Sequence, residues 1–287
     1  MTYRFRRNKP LQAALKRIAS EQVSLALRCA SQLQPGEATH QIRKHCKKMR
    51  ALARLIRTGN PACEQIYLLE NAHYRKIADV LSDSRDAVSL YDALTRQLGA
   101  ERFPVTAALL NACIDTSNTA QALEQARQLL LQGKGRIELW NLGPLTKKDL
   151  LNGYAQSYRR AYKAAQAALA GDDEERFHAL RKRVKDQWYH SRLLKKLKPR
   201  RIGGRCKSLN RLASDLGDWR DLRRLRTFLV LTDEGLDGEL IPLLDQADLR
   251  LQQLRENIER ECAYLFARKK WHHQRNHRIP APSKKNI

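Results

Sequence analysis

A chain of 287 residues is long enough for one large or two medium domains, each with its own core. Its 55 Lys and Arg against 30 Asp and Glu give a formal charge of +25 and a pI near 10.2, which point to a polyanionic partner: nucleic acid, an anionic membrane surface or a phosphate polymer. No apolar run of about eighteen residues exists and the opening MTYRFRRNKP lacks a signal peptide's apolar core, so no membrane span is expected and the location expected is cytoplasmic.

In chain order, residues 9–33 predict a first helix with Leu11, Leu15, Ile18, Val23, Leu25 and Leu27 inward and Lys16, Arg17 and Arg28 outward. QLQPGEAT interrupts it, Thr39 is the expected N-cap of a second helix, and Gly59, Asn60 and Pro61 end that helix. A third runs from Pro61 through Ile66, Leu69, Tyr74 and Ile77 toward LSDSRDAVSLYDAL. Further helical stretches are predicted over 105–114 and from Asn118 or Thr119 to Leu131. GKGRIELWNLGPLTKK, residues 133–148, has the glycines, proline and lost periodicity of a linker. Beyond it the pattern predicts helices over 147–170, 178–198, a stretch containing LNRLASDLGDWRDLRRLRTFL, and 241–267.

Strand signals are almost absent, so the fold class is all-α. The expected organisation is two antiparallel four-helix-type bundles, 1–135 and 149–268, joined by a linker at 136–148 and followed by a basic, disordered tail at 269–287. The six cysteines, Cys29, Cys46, Cys63, Cys113, Cys206 and Cys262, form neither a C-x-x-C pair nor a zinc-type group with histidine. They read as small buried apolar residues, and neither a metal nor another cofactor is expected.

One stretch stands out against this background. HQIRKHCKKMRALARLIR, His40 to Arg57, recurs at His178 as HALRKRVKDQWYHSRLLKK, and aligning the histidines pairs Arg43 with Arg181, Lys44 with Lys182, Lys47 with Lys185 and Arg54 with Arg192. The shared H-x-x-R-K-x-x-K-x6-R places all five positions on one helical face, because steps of three, four, seven, eleven and fourteen return to it. The other face of the first copy carries Ile42, Cys46, Met49, Leu52, Ala53 and Ile56, a core side. A solvated basic face tolerates Glu or Gln anywhere along it, so two copies with matching types favour a binding stripe.

A second pair matches. LSDSRD at 81–86 corresponds to LGDWRD at 216–221, which pairs Asp83 with Asp218, Arg85 with Arg220 and Asp86 with Asp221, so the chain reads as an internal duplication. For Arg85 and Arg220, an ion pair with a neighbouring aspartate and a phosphate-binding role are compatible, since a carboxylate that fixes the guanidinium preorganises its fork. Lys48, Arg50, Lys76, Tyr189, Lys196 and Arg211 are secondary candidates.

The duplicated histidine helix, the L-x-D-x-R-D helix and YRRAYKAA ahead of FHALRKRVKDQWY resemble the CHAD family, the conserved histidine α-helical domain, over about Tyr3 to Ala267. The resemblance implies two bundles about a pseudo-twofold axis, a central basic cavity, and binding of inorganic polyphosphate with association with polyphosphate granules. Carried over by position, it places His40, Arg43, Lys44, Lys47 and Arg54 on one side of the cavity and His178, Arg181, Lys182, Lys185 and Arg192 on the other. Arg159 and Arg160 fall on the family's basic Y-R-R segment, and Lys16 and Arg17 offer a weaker counterpart without the tyrosine. The E-x-E-x-K signature of the CYTH enzymes to which some relatives are joined is absent.

Three other readings stand beside it. A nucleic-acid binder fits the charge and a tail with Trp271, yet Tyr189 is almost alone as an aromatic in the stripes; nonspecific binding at low salt is expected in any case. A metal-dependent phosphohydrolase using His40, His178, Asp83, Asp86, Asp218 and Asp221 conflicts with cations that would repel the metal, and neither GxxxxGK nor H-E-x-x-H occurs, so no enzyme is expected. A scaffold that recruits proteins is compatible with either, and the oligomeric state is not legible.

Overall fold

The computed structural model describes residues 3–5, 10–82, 86–114, 117–171, 173–198, 200–232, 236, 238–269 and 271. The described residues are all-helical, without a strand. The helices are α1 (Leu11–Gln32), α2 (Pro35–Ile56), α3 (Pro61–Val80), α4 (Asp86–Ala93), α5 (Pro104–Ala112), α6 (Thr119–Glu138), α7 (Lys147–Leu169), α8 (Glu174–Leu194), α9 (Cys206–Leu231) and α10 (Leu240–Leu265).

Local chemistry sets several of the helix starts. Asn60 caps α3 by accepting from the Cys63 amide at 2.9 Å, Thr146 and Asp149 form a reciprocal capping box on α7, and Asp173 accepts from the Glu175 amide to start α8. For α2 the expectation fails: the helix starts at Pro35, not after Thr39, because proline at the first position has its φ preset and Glu37 meets the positive end of the helix. Thr39 lies buried a turn inside. α6 also outruns its predicted end at Leu131 and reaches Glu138. Gly133 is there a packing residue and not a breaker, since a Cβ on it would stand 2.9 Å from Tyr74 Oη. Arg136 and Trp140 then lock α6 to α3, both donating to the buried Glu70 carboxylate.

Two cores follow. The first is built from α1, α2, α3 and α6, with the beginning of α7 and the end of α8 closing it. The second gathers α7, α8, α9 and α10 around Phe177, Leu180, Trp219 and Ile258. Residues 86–112 precede α6 in the chain yet contribute Leu90, Leu94, Leu98, Phe103 and Leu110 to the second core, not the first. A carboxylate fastens this crossing segment: Glu239 accepts from the Val105 and Thr106 amides at the start of α5, at 3.0 and 2.9 Å. Cys46, Cys63 and Cys262 are buried as expected, Cys29 and Cys206 partly so, whereas Cys113 is exposed.

The two cores join where α2 meets α7 and α8. Gly153 of α7 lies against the backbone of α2 so closely that a Cβ would stand 2.0 Å from the Leu55 carbonyl oxygen. Beside it the fully buried His190 of α8 donates Nε2–H to the Ala51 carbonyl at 2.8 Å and bonds Ser157 through Nδ1 at 2.9 Å. Two segments cover this junction. Phe5 donates its amide to the Leu193 carbonyl and is buried with Tyr3, and Trp271, placed by the sequence reading in a disordered tail, packs edge-on against Tyr154 at 4.8 Å.

Candidate anion-binding site

α2 is two-sided as the pattern requires: Ile42, Cys46, Met49, Leu52, Ala53 and Ile56 are all at most 1% exposed. Four of its cations divide between two places. Lys44 and Lys48, one turn apart, face the Lys185 and Arg192 end of α8, while Arg50 and Arg54 face α3 and Asp186.

The first place concentrates charge without neutralising it. Lys48 is 9% exposed, and burial, with Arg192 and Lys44 nearby, pushes its ammonium down to about 8. Burial does the same to Lys185, pushed to about 8, with Arg181 and the Lys44 of the other motif beside it and Asp218 and Asp221 opposing them only in part. Among the described residues no ion pair engages Lys44, Lys48, Lys185 or Arg192. Aromatic rings take their place. Lys185 Nζ lies 5.3 Å from the Trp188 ring centre, and the Arg192 guanidinium lies 5.0 Å from that ring and 5.9 Å from Tyr3. Tyr3 ties the group together by donating to the Lys48 carbonyl at 2.7 Å and meeting Tyr189 edge-on. Tyr189 is therefore buried packing and offers no face to a base.

The second place is partly neutralised. Arg54 donates one arm to the Asp186 carboxylate and the other to Asn71 Oδ1 at 3.2 Å, and Arg50 shares that Asn71 oxygen. Arg183 approaches Asp186 from its own helix at 3.9 Å. Arg160 is half-buried here, its guanidinium held below its ordinary value by burial and by Arg183 and Arg57.

The histidines and their neighbours form a third group. His178 is pushed down to about 4 by burial and by Arg220, Lys182 and Arg181, and its Nδ1 is buried with no hydrogen-bond partner among the described residues. It is neutral at pH 7. Arg181 runs over Gly217 of α9, with Nη2 2.9 Å from where a Cβ would stand. Arg43 in the first motif makes the corresponding reach to α3, donating to the Ala78 and Leu81 carbonyls, so it holds a helix end. His40, Lys47 and Lys182 are exposed.

Other predicted residues lie elsewhere. Lys16 donates to the Glu138 carbonyl, Arg17 pairs with Glu21, and Arg211 pairs with Glu261 at 2.7 Å. Lys76, Arg159 and Lys196 are exposed and enter neither place. In the second L-x-D-x-R-D, Asp218 pairs with Arg96 at 3.6 Å and leaves Arg220 facing His178. Arg85 and Asp83, and the side chain of Asp86, lie outside the described residues. Among the described residues no three His, Cys, Asp or Glu side chains gather to hold a metal, and no helix is long and apolar enough to cross a membrane. Tyr3, Trp188 and Asp186 are participants that the motif pattern does not show; only the pairing of Lys48 with Asp186 in the aligned copies carries a signal of the last.

The described residues thus make an all-helical protein with two cores and, where these join, a band of cations without ion pairs. The model of the CHAD domain matches residues 10–230, and the chain belongs to that family. No match was found among curated proteins or among solved structures.

Proposed function

We propose that the protein binds inorganic polyphosphate at the junction of α2 and α8 and through it associates with polyphosphate granules, acting as a binding protein and not as an enzyme. The observation that carries this is the gathering of Lys44, Lys48, Lys185 and Arg192, drawn from both motifs, without an ion pair to any of them among the described residues. Two of these ammonium groups are desolvated enough to be pushed to about 8, a cost that a polyanion offsets by restoring opposite charge. A phosphate chain has charge at every unit and no bases, which suits a site whose aromatics are occupied by cations and by one another. Family membership supports the same ligand class.

Filter binding with graded polyphosphates, tripolyphosphate and DNA tests it, comparing the wild type with Lys44→Ala plus Lys185→Ala. We expect polyphosphate to displace DNA at about 150 mM salt and the double variant to lose at least tenfold in affinity. Equal affinity for DNA and polyphosphate under those conditions would defeat the reading.

A further inference from the structure

Aligning the two histidine motifs pairs Arg54 with Arg192 and Lys48 with Asp186. The consequence at the α2–α8 crossing is unequal. Arg54 of α2 reaches Asp186 of α8 and meets a carboxylate, with its second arm on Asn71. Arg192 of α8 lies beside Tyr3, which donates to the Lys48 carbonyl of α2, and it has no carboxylate partner among the described residues. The Arg54 fork is thus spent on protein acceptors, at side-chain exposures of 14% for Arg54 and 12% for Asp186. A phosphate taking Arg54 would leave the buried Asp186 carboxylate only the more distant Arg183, at 3.9 Å, and set it beside the phosphate's own negative oxygens.

Arg192 is held differently. Its guanidinium carbon lies 5.0 Å from the Trp188 ring centre and 5.9 Å from that of Tyr3, and no hydrogen bond or ion pair among the described residues uses its N–H groups. A guanidinium held beside rings, and not by acceptors, keeps its N–H donors for the bidentate geometry that phosphate oxygens accept. Tyr3, bonded to the Lys48 carbonyl, sets the two cations side by side.

Resting on the polyphosphate reading above, we propose that the two matched arginines have different tasks: Arg192 with Lys48 is a phosphate ligand, whereas Arg54 is a strut held by Asp186. Asp186 is then a positioning residue that keeps one arginine of the repeat from the ligand, and the polyanion is gripped unequally by the two motifs.

The slope of log affinity against log salt reads this directly, because each phosphate neutralised contributes somewhat under one to it. Arg192→Gln and Lys48→Gln should each lower the slope by about one and weaken polyphosphate binding several-fold. Arg54→Gln should lower the melting temperature and leave the slope as in the wild type. Asp186→Asn should free Arg54 and raise the slope by about one, which a purely structural role would not do. If Arg54→Gln does not fold, Arg54→Met with Asp186→Met removes both charges together, and its slope should equal that of the wild type. A slope lowered by the Arg54 variants and unmoved by Arg192→Gln overturns the assignment, as does an Asp186→Asn slope equal to the wild type. A wild type that binds DNA but no polyphosphate overturns the proposed function itself, and this inference with it.

Discussion

Lys48 and Lys185 owe their behaviour to burial. Both ammonium groups are pushed from the usual lysine range to about 8 by burial first and by neighbouring cations second. In the unfolded chain they keep the higher value, so between about pH 8 and 10 the unfolded state binds more protons and these two residues make the free protein more stable as pH rises. Binding runs the other way, since a polyanion needs both charges. Polyphosphate affinity should therefore fall as pH rises from about 8 to 10, with proton uptake on binding visible by calorimetry in two buffers of different ionisation enthalpy. Lys48→Met should stabilise the free protein at pH 7 by roughly 1–3 kcal/mol while weakening binding. A pH-independent affinity over that range would remove the lysines from the site. His178, neutral at pH 7 with its value near 4, is not the source of this dependence in the free protein.

At the scale of elements, the meeting of α2 with α7 and α8 decides whether a site exists, because the cations that gather come from both motifs. Gly153 sets that approach. In an ordinary helix interior Gly→Ala stabilises by about 1 kcal/mol, but here the new Cβ would stand 2.0 Å from the Leu55 carbonyl oxygen. The steric term wins, and Gly153→Ala should destabilise by about 3 kcal/mol in chemical denaturation and weaken polyphosphate binding by separating Lys44 from Lys185. A neutral or stabilising result would mean that the helices part without cost. The helices themselves were legible, since their periodicity is strong, whereas the start of α2, the end of α3 at Val80 and the end of α6 were not. Pro35 and Gly133 punctuate a sequence, and only packing tells a first-turn proline from a breaker or a contact glycine from a linker.

At the scale of the whole molecule, a formal charge of +25 opposes folding through self-repulsion, so the free protein's melting temperature should rise between about 20 and 300 mM salt as screening grows. Polyphosphate should raise it further, and most at low salt, because binding to the folded state adds to stability and is itself strongest there. A melting temperature that falls over that range would show that ion pairs such as Arg226 with Asp248 outweigh the repulsion. The chain path also belongs to this scale. Residues 86–112 pack in the second core although they follow α3, and Glu239 ties the start of α5 to the start of α10. No local pattern encodes that exchange, because a half-apolar segment such as Leu90 to Leu98 fits either core equally well.

The sequence by itself determined the helical class, the two-sided character of α2, the matched pair of basic motifs and the family, because each rests on residue type at fixed helical steps. It could not rank the cations within a motif. Arg43, Arg54 and Arg192 have the same chemistry, and the last two have matching positions, yet one holds the end of α3, one is tied to Asp186 and one lies over Trp188. Tertiary structure decided this for Arg43 and Arg54, since a guanidinium's task depends on whether the nearest group across the crossing is a carbonyl or a carboxylate, and that neighbour comes from a different helix. Arg192 has the ring of Trp188 from its own helix, and only packing brings Tyr3 to it and leaves it without a carboxylate.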